Sequence, residues 1–386
     1  MEALTIALNT EIKMLLEDLK ALRCIRRAET KAGTKILKSH MFVVENYLAN
    51  SDFDKMKARQ VADRRDQDAA MYPYKSSSTV AIHSVLNALG LARGKPRWIV
   101  IKIDIMGVFV KTPMKGKLVY MKIDPKISRY VFDFFPKLGE MLEADRCLYT
   151  LLLKAMYGCI QASALWYALI RSFLEELGCE CSQTDKCMFR RWVGGRIFVL
   201  LLYVNDILSQ VDEKEAECLR EHLRKCFGEV QLKIGSKLLY LGMQVDIRDE
   251  GTVVDVNFYV KKLLEEVTAK GQSSPGNHNS FVVDDDAQML EESEKQYFHS
   301  MTVKLLYLAK RARPDILTVV AFLCTRVQCA TVQDRDKLNR VLGYLKWTED
   351  FVLVLPPYVE VISLHMWMRH VRYIVTQSHI PGWSFM

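Results

Sequence analysis

Two aspartates that are distant in the sequence each accompany a strand-like run of apolar residues. Asp104 lies near the end of the β-branched run 98–105, and Asp206 lies at a polar corner, Asn205-Asp206, directly after the apolar run 196–204. Carboxylates from different strands that meet at one point are what two-metal phosphoryl transfer requires, because they hold Mg²⁺ ions roughly 3.5–4 Å apart. Asn and Asp also favour ordinary tight turns, so a purely structural corner is the alternative interpretation.

The elements around the polar corner have the pattern of successive β-hairpins. Val193-Gly194-Gly195 is a turn signal between the short run 188–192 and the long apolar run 196–204. After the corner, 207–209 returns as a further strand. The helical spacing of apolar residues from Trp166 to Leu177 predicts a helix behind this sheet, with Trp166 in the core.

The corner also has a family resemblance. Tyr203-Val204-Asn205-Asp206 resembles the Tyr-Val-Asp-Asp box of copia-type retrotransposon reverse transcriptases, with Asn205 in place of the first aspartate. Other blocks resemble that family in the same order, namely Lys57–Ala62, Asp104–Val110, Lys154–Gly158 with Gln161, Trp166 and Tyr167, Tyr240–Met243, and Leu305–Ala309 with Arg313–Ile316. We interpret the chain as resembling a fragment of a copia-type polyprotein, because several blocks in order are hard to obtain by chance.

The resemblance implies an α+β right-hand polymerase fold of fingers, palm and thumb, with an antiparallel palm sheet. It implies RNA-directed DNA polymerisation with two Mg²⁺ ions, for which Asp104 and Asp206 would be the metal ligands. Asn205 stands where the family has a further carboxylate, and an amide supplies no negative charge. A loss of roughly 3–5 kcal/mol of transition-state stabilisation lowers a rate on the order of 10²–10⁴-fold. We therefore expect severely impaired polymerisation.

Five further residues match positions that contact the nucleotide in the family, namely Arg59, Lys57, Phe109, Gln161 and Tyr203. The guanidinium of Arg59, with Lys57, would engage the triphosphate, since a planar guanidinium binds phosphate oxygens in pairs. Phe109 would lie under the incoming sugar and disfavour a 2′-hydroxyl. Ordinary surface charge for the two basic residues, and core packing for Phe109, are the alternatives.

The primer and the template would contact other parts of the chain. Leu241-Gly242-Met243 resembles the primer-holding turn, in which a glycine lets the backbone approach the primer closely; an ordinary β-turn is the alternative. The segment 303–346 has nine Lys or Arg against three Asp, and we expect it to contact duplex phosphates. The implied partners are an RNA or DNA template with its primer, and a dNTP.

Composition is compatible with these expectations. The chain has 386 residues, half of them hydrophobic and 26% charged, with a net charge of +8, which suits a large core and a polyanionic partner. Ten scattered cysteines without zinc spacing predict reduced, mostly buried thiols. No apolar run is long enough for a signal core or a membrane span. We expect an intracellular protein, in a cytoplasmic particle or the nucleus, with no membrane partner.

Four segments are predicted along the chain. Residues 1–50 would be an N-terminal helical extension, 51–250 the fingers and palm, and 251–350 a helical thumb and connection. Residues 351–386 would be a tail that lacks the Asp-Ala-Asp pattern of a ribonuclease H domain. The alternatives to an active enzyme are a catalytically dead remnant or nucleic-acid-binding module, and an unrelated α/β scaffold in which Asp104 and Asp206 lie far apart.

Overall fold

The computed structural model describes residues 2–47, 53–72, 75–91, 99–248, 250–284 and 286–356, together with the backbone of 374–377. The described part of residues 2–152 has three α-helices of ten or more residues, one short α-helix and seven strands. In order they are α1 Glu2–Lys13, β1 Leu22–Ile25, β2 Ile36–Leu37, β3 Ser39–Tyr47, β4 Phe53–Ala62, α2 Ile82–Leu91, β5 Ile99–Ile105, α3 Val108–Lys111, β6 Tyr120–Ile123, α4 Pro125–Phe134 and β7 Leu148–Leu152.

The middle of the chain alternates hairpins with two long amphipathic helices. Its elements are α5 Ala162–Glu176, β8 Glu180–Cys181, β9 Met188–Val193, β10 Arg196–Tyr203, β11 Asp206–Val211, α6 Glu213–Phe227, β12 Val230–Ile234, β13 Lys237–Tyr240, β14 Met243–Arg248 and β15 Gly251–Asp255. Four helices and two strands follow, namely α7 Asn257–Leu264, α8 Glu292–Arg311, α9 Leu317–Arg326, α10 Val332–Trp347, β16 Phe351–Leu355 and β17 Ile374–Gln377.

A six-stranded antiparallel sheet forms the centre of the molecule, in the order β12-β5-β11-β10-β9-β8. Ile101, Ile103 and Ile105 alternate along β5 and are fully buried, because successive side chains of a strand point to opposite faces. They share one core with buried residues of α5, including Trp166 at 2% exposure. The predicted hairpins, the helix with Trp166 and the core position of Trp166 are confirmed.

The N-terminal region differs from the expected helical extension. In the described residues 2–47, the helical segments are Glu2–Lys13, a short π-helical turn, Met14–Asp18, and a 3-10 helix, Arg27–Glu29. Strands β1 and β2 then join β7 and β6 in a four-stranded sheet, and β3 pairs with β4 across the predicted boundary at residue 50. The predicted helical extension is confirmed for α1, but local sequence did not indicate which later strands the following residues would pair with.

The C-terminal region combines a second antiparallel sheet with packed helices. Strands β13 to β17 are consecutive neighbours in this five-stranded sheet. Helices α8, α9 and α10 pack on one another, and their buried faces belong to the same core as the central sheet. The polar stretch 271–291, which precedes α8, has no helix or strand in its described part. Most of the predicted tail 351–386 lies outside the described residues.

Composition also led to predictions about membrane spans and about the cysteines. None of the described helices has both the length and the apolar character that crossing a bilayer requires. All ten cysteines have free thiols, but only four are buried, five are half-buried and Cys226 is exposed. The prediction of unpaired cysteines is confirmed, whereas the prediction that most of them are buried is wrong, because several lie on helix surfaces and loops.

Candidate active site

The polar corner is a two-residue hairpin loop that a helix holds in place. Tyr203 of β10 pairs with Asp206 of β11, which leaves Val204 and Asn205 as the loop. Val204 has a φ of 56°, a left-handed conformation that is unfavourable for a β-branched residue. The indole nitrogen of Trp166 donates to the carbonyl oxygen of Val204 at 2.6 Å. The helix α5 therefore fixes a strained loop.

The two aspartates meet on one face of the central sheet. Asp206 of β11 is the register partner of Asp104 of β5. Directly opposed residues of an antiparallel pair have Cβ atoms about 4.5–5.5 Å apart, on the same face. Burial raises the pKa of the Asp206 carboxyl above its usual range, the nearby charge of Asp104 adds to that rise, and Lys102 opposes it. This proximity contradicts the scaffold alternative, which required the two aspartates to be distant.

Both carboxylates already have donors from the protein. The side-chain amide nitrogen of Asn205 donates a hydrogen bond to Asp104 Oδ1. The ammonium nitrogen of Lys102 lies 3.3 Å from Asp206 Oδ1. Sequence reasoning missed Lys102, although a signal was available, since it precedes Asp104 by two residues and therefore shares its face of β5.

The residues present do not fit the expected pair of Mg²⁺ ions. Mg²⁺ requires near-octahedral oxygen coordination, and two neighbouring ions require several negatively charged oxygens between them. Within the described residues, no group of three His, Cys, Asp or Glu side chains is placed to hold a metal. The acidic pair supplies two carboxylates, of which one faces an amide N–H and the other an ammonium. The expected two-ion site is therefore incomplete in this chain.

Two of the predicted nucleotide-contacting residues, Arg59 and Phe109, contact the ring of Tyr157. The guanidinium carbon of Arg59 lies 5.1 Å from the centre of the Tyr157 ring, and that ring meets Phe109 edge to face at 5.3 Å. Burial raises the pKa of Tyr157, and Asp104 is among the charges that add to this rise. Lys57 lies on the same face of β4 as Arg59. Tyr157 belongs to the block Lys154–Gly158, but the sequence gives no sign that it lies between Arg59 and Phe109.

Gln161 and Tyr203 are less exposed to solvent than their expected contact with a nucleotide implies. Gln161 is buried, its side-chain oxygen accepts from Gln67 Nε2 at 3.0 Å, and its own Nε2 lies 3.4 Å from the sulfur of Met114. Its amide is thus engaged inside the protein, which differs from the expected nucleotide contact. Tyr203 is half-buried and packs against the main core beside Asp206.

The predicted primer-holding turn is a second strained hairpin loop. Leu241 and Gly242 both have positive φ, 50° and 79°, as a type I′ turn between β13 and β14 requires. The Leu241 carbonyl oxygen accepts from Tyr307 Oη at 3.3 Å and from Arg311 Nε at 3.1 Å. A Cβ on Gly242 would overlap the Tyr307 hydroxyl. Helix α8 of the protein itself therefore occupies the space that the glycine leaves open.

The third member of that predicted contact and its neighbour are buried. Met243 and Tyr240 are fully buried on either side of the turn. Burial raises the pKa of Tyr240, and the Asp206 carboxylate adds to this rise. The Met243 side chain therefore faces the core and not the open side of the turn.

The basic segment 303–346 is less available than its net charge suggests. Four of its nine basic residues form ion pairs within the protein. The pairs join Arg313 to Asp315, Arg326 and Lys337 to Asp334, and Arg335 to Glu294. Arg313 is fully buried, whereas Lys310 and Lys346 are exposed. Contact between this segment and duplex phosphates stays a prediction. Fewer of its basic residues are candidates for that contact than the net charge suggests.

Comparison with known proteins identifies the family. Residues 38–275 match the model of the family described as reverse transcriptase (RNA-dependent DNA polymerase). The chain is 25% identical over 328 residues to the retrovirus-related Pol polyprotein from transposon RE1 of Arabidopsis thaliana, covering 83% of this chain and 21% of that protein. It is 23% identical over 316 residues to the transposon Ty1-H Gag-Pol polyprotein of Saccharomyces cerevisiae, covering 77% of this chain and 16% of that protein.

A solved structure of the foamy viral protease–reverse transcriptase in complex with double-stranded DNA is also similar. It has a TM-score of 0.48 and 13% identity, and the match covers 87% of this chain and 47% of that one. The present chain spans about a fifth of the length of the RE1 polyprotein. The family model covers more than half of the chain and agrees with the predicted α+β right-hand polymerase fold with an antiparallel palm sheet. The chain therefore belongs to the reverse transcriptase (RNA-dependent DNA polymerase) family, in the form found in copia-type retrotransposon Pol polyproteins.

Proposed function

We propose that this chain is the reverse transcriptase part of a retrotransposon Pol polyprotein that still binds template–primer duplex and dNTP but synthesises DNA at a severely reduced rate. The fingers, palm and thumb would correspond to the four-stranded sheet with its hairpin, the six-stranded sheet, and the C-terminal helices. The proposed partners are an RNA or DNA template with its primer. We expect it to act inside the cell, in a cytoplasmic particle or the nucleus.

The observation that carries this proposal is the hydrogen bond from the Asn205 amide to Asp104. A carboxylate at residue 205 would add a third negative charge beside the facing acidic pair, whereas the amide adds none and directs N–H groups at it. Divalent cations that assist nucleotidyl transfer bind through negatively charged oxygens. The reaction is therefore expected to lose most of its electrostatic assistance in this chain.

Retention of binding is supported by residues outside the acidic pair. Arg59 lies exposed on β4 and stacks towards Tyr157, so its guanidinium is placed to meet phosphate oxygens beside Phe109. The net charge of +8 favours a polyanion at moderate salt. Binding of a duplex depends mainly on phosphate contacts, which do not require the acidic pair.

Primer extension on an RNA template tests the catalytic part of the proposal. With Mg²⁺ and dNTPs, the natural chain should extend a labelled primer near background, and Asn205→Asp should raise the rate on the order of 10²-fold or more. The matched control is Asn279→Asp, which adds the same charge in an exposed loop and should leave the rate at background. Equal rates for the natural chain and Asn205→Asp would contradict the role assigned to residue 205.

The second candidate function is a module that holds the duplex without extending it. The donors on both carboxylates favour this candidate, because each acidic group is satisfied without a metal. Fluorescence anisotropy of a labelled template–primer, with and without Mg²⁺ and dNTP, separates the two functions. A holding module should bind equally in both conditions, whereas a polymerase should bind more tightly when the matching dNTP and Mg²⁺ are present.

A further inference from the structure

Lys102 contacts the acidic pair from a different direction than Asn205. Its register partner on β11 is Leu208, so its side chain reaches diagonally along the sheet to Asp206. Such diagonal neighbours are within reach of a long side chain. The Lys102 and Asp206 side chains are 23% and 20% exposed, so their attraction is less screened by water than that of a surface pair.

The two internal donors act on different carboxylates. The Asn205 amide donates a hydrogen bond to Asp104, and the Lys102 ammonium forms an ion pair with Asp206. A cation that approaches the pair must displace both donors, and an ammonium that stays nearby repels a divalent cation. Replacing Asn205 alone removes one of these obstacles and leaves the other in place.

We propose that Lys102 is a second determinant, beside Asn205, that keeps divalent cations out of the acidic pair, so that the pair functions in this chain as a metal-independent polar cluster. The inference rests on the proposed function only in that the acidic pair is taken as the family's metal position. Lys102 is a positioning residue, because it acts through Asp206 and not on a substrate. The structure assigns this role through one ion pair and the strand register.

Metal affinity measured without nucleic acid or nucleotide tests the inference. Mn²⁺ binding to the full chain is followed by electron paramagnetic resonance for the natural chain, Asn205→Asp, Lys102→Gln and the double variant. We expect the weakest binding for the natural chain, tighter binding for Asn205→Asp, and at least about tenfold tighter binding again for the double variant than for Asn205→Asp. The Mn²⁺ affinity does not depend on primer extension. A failure of the proposed polymerase function can therefore be distinguished from a failure of the inference about Lys102.

Lys233 provides the matched control. It lies on β12 directly opposite Lys102 on the same face, and its side chain is exposed. Lys233→Gln removes the same charge from the neighbouring strand. Combined with Asn205→Asp, it should change Mn²⁺ affinity by less than about threefold, because an exposed charge is screened by salt. Lys102→Arg with Asn205→Asp keeps the positive charge and should bind as weakly as Asn205→Asp alone.

Two results would overturn the inference. In the first, the double variant binds Mn²⁺ no more tightly than Asn205→Asp. In the second, Lys233→Gln has the same effect as Lys102→Gln, so that general charge and not the ion pair is responsible. Circular dichroism establishes that each variant is folded, and Lys102→Met, which keeps the apolar stem, replaces Lys102→Gln if that variant does not fold.

Discussion

Two hairpin loops have similar backbone conformations but different side chains around them. In the loop between β10 and β11, Val204 has a φ of 56°, and in the loop between β13 and β14, Leu241 has a φ of 50°. In each loop a helix side chain binds the carbonyl of the strained residue, Trp166 in the first and Tyr307 with Arg311 in the second. In the first loop the strained residue is followed by Asn205, which donates to Asp104, whereas in the second it is followed by Gly242.

The difference concerns what each loop requires of its neighbours. Val204 depends on one donor, Trp166, and the residue after it directs an amide at Asp104. Leu241 has two donors, and its glycine neighbour leaves space that the Tyr307 hydroxyl fills. The resemblance predicted a glycine open to the primer, but the structure gives a glycine that packs against a helix. A shared backbone conformation therefore does not imply a shared role.

The largest expected effect is at Gly242. Gly242→Ala places a methyl group on the Tyr307 hydroxyl at a positive φ and should lower the free energy of unfolding by about 3 kcal/mol. Adding Tyr307→Phe removes the overlapping oxygen and leaves the ring carbon at 3.4 Å, so it should restore roughly half of that loss. Urea denaturation of the single and double variants measures both values. An absence of rescue would mean that backbone strain alone, and not contact with α8, requires the glycine.

The next largest effect is expected when the side chains that donate hydrogen bonds to the two loops are removed. Trp166→Phe removes the single indole donor of Val204 and leaves a cavity, so it should lower the free energy of unfolding by about 2–3 kcal/mol. Tyr307→Phe should cost only about 0.5–1 kcal/mol, because Arg311 still donates to Leu241. Trp192→Phe is the control, since Trp192 is 58% exposed and its change should cost less than about 0.5 kcal/mol. Equal costs at Trp166 and Trp192 would contradict the support assigned to α5.

The smallest effect concerns the strained residues themselves. Val204 has a left-handed backbone conformation, which is unfavourable for a β-branched residue and acceptable for glycine. Val204→Gly should therefore raise the free energy of unfolding by about 0.5 kcal/mol and raise the melting temperature slightly. Leu241→Gly should not, because Leu241 also packs against the main core and loses that contact. Differential scanning calorimetry of both variants gives the comparison. A gain at Leu241 would show that strain exceeds packing at both loops.

Much of the secondary structure was predictable from local sequence. The helix predicted from Trp166 to Leu177 spans Ala162–Glu176, and the hairpin has its predicted Gly-Gly turn, because apolar spacing and turn residues are local signals. The pairing of β1 with β7 was not predictable, since strand pairing joins segments separated by more than a hundred residues. Local spacing therefore gave α1 and missed the sheet that follows it.

The sequence by itself determined the family, the positions of Asp104 and Asp206, and the amide at residue 205, because these follow from residue identities and their order. Only the tertiary structure decided which polar groups remain available. Lys102 and Asn205 bind the two carboxylates, and Gln161 is engaged by Gln67. The physical reason is that a buried or half-buried polar group is satisfied by whichever partner the fold brings near it, and most of these partners are distant in the sequence.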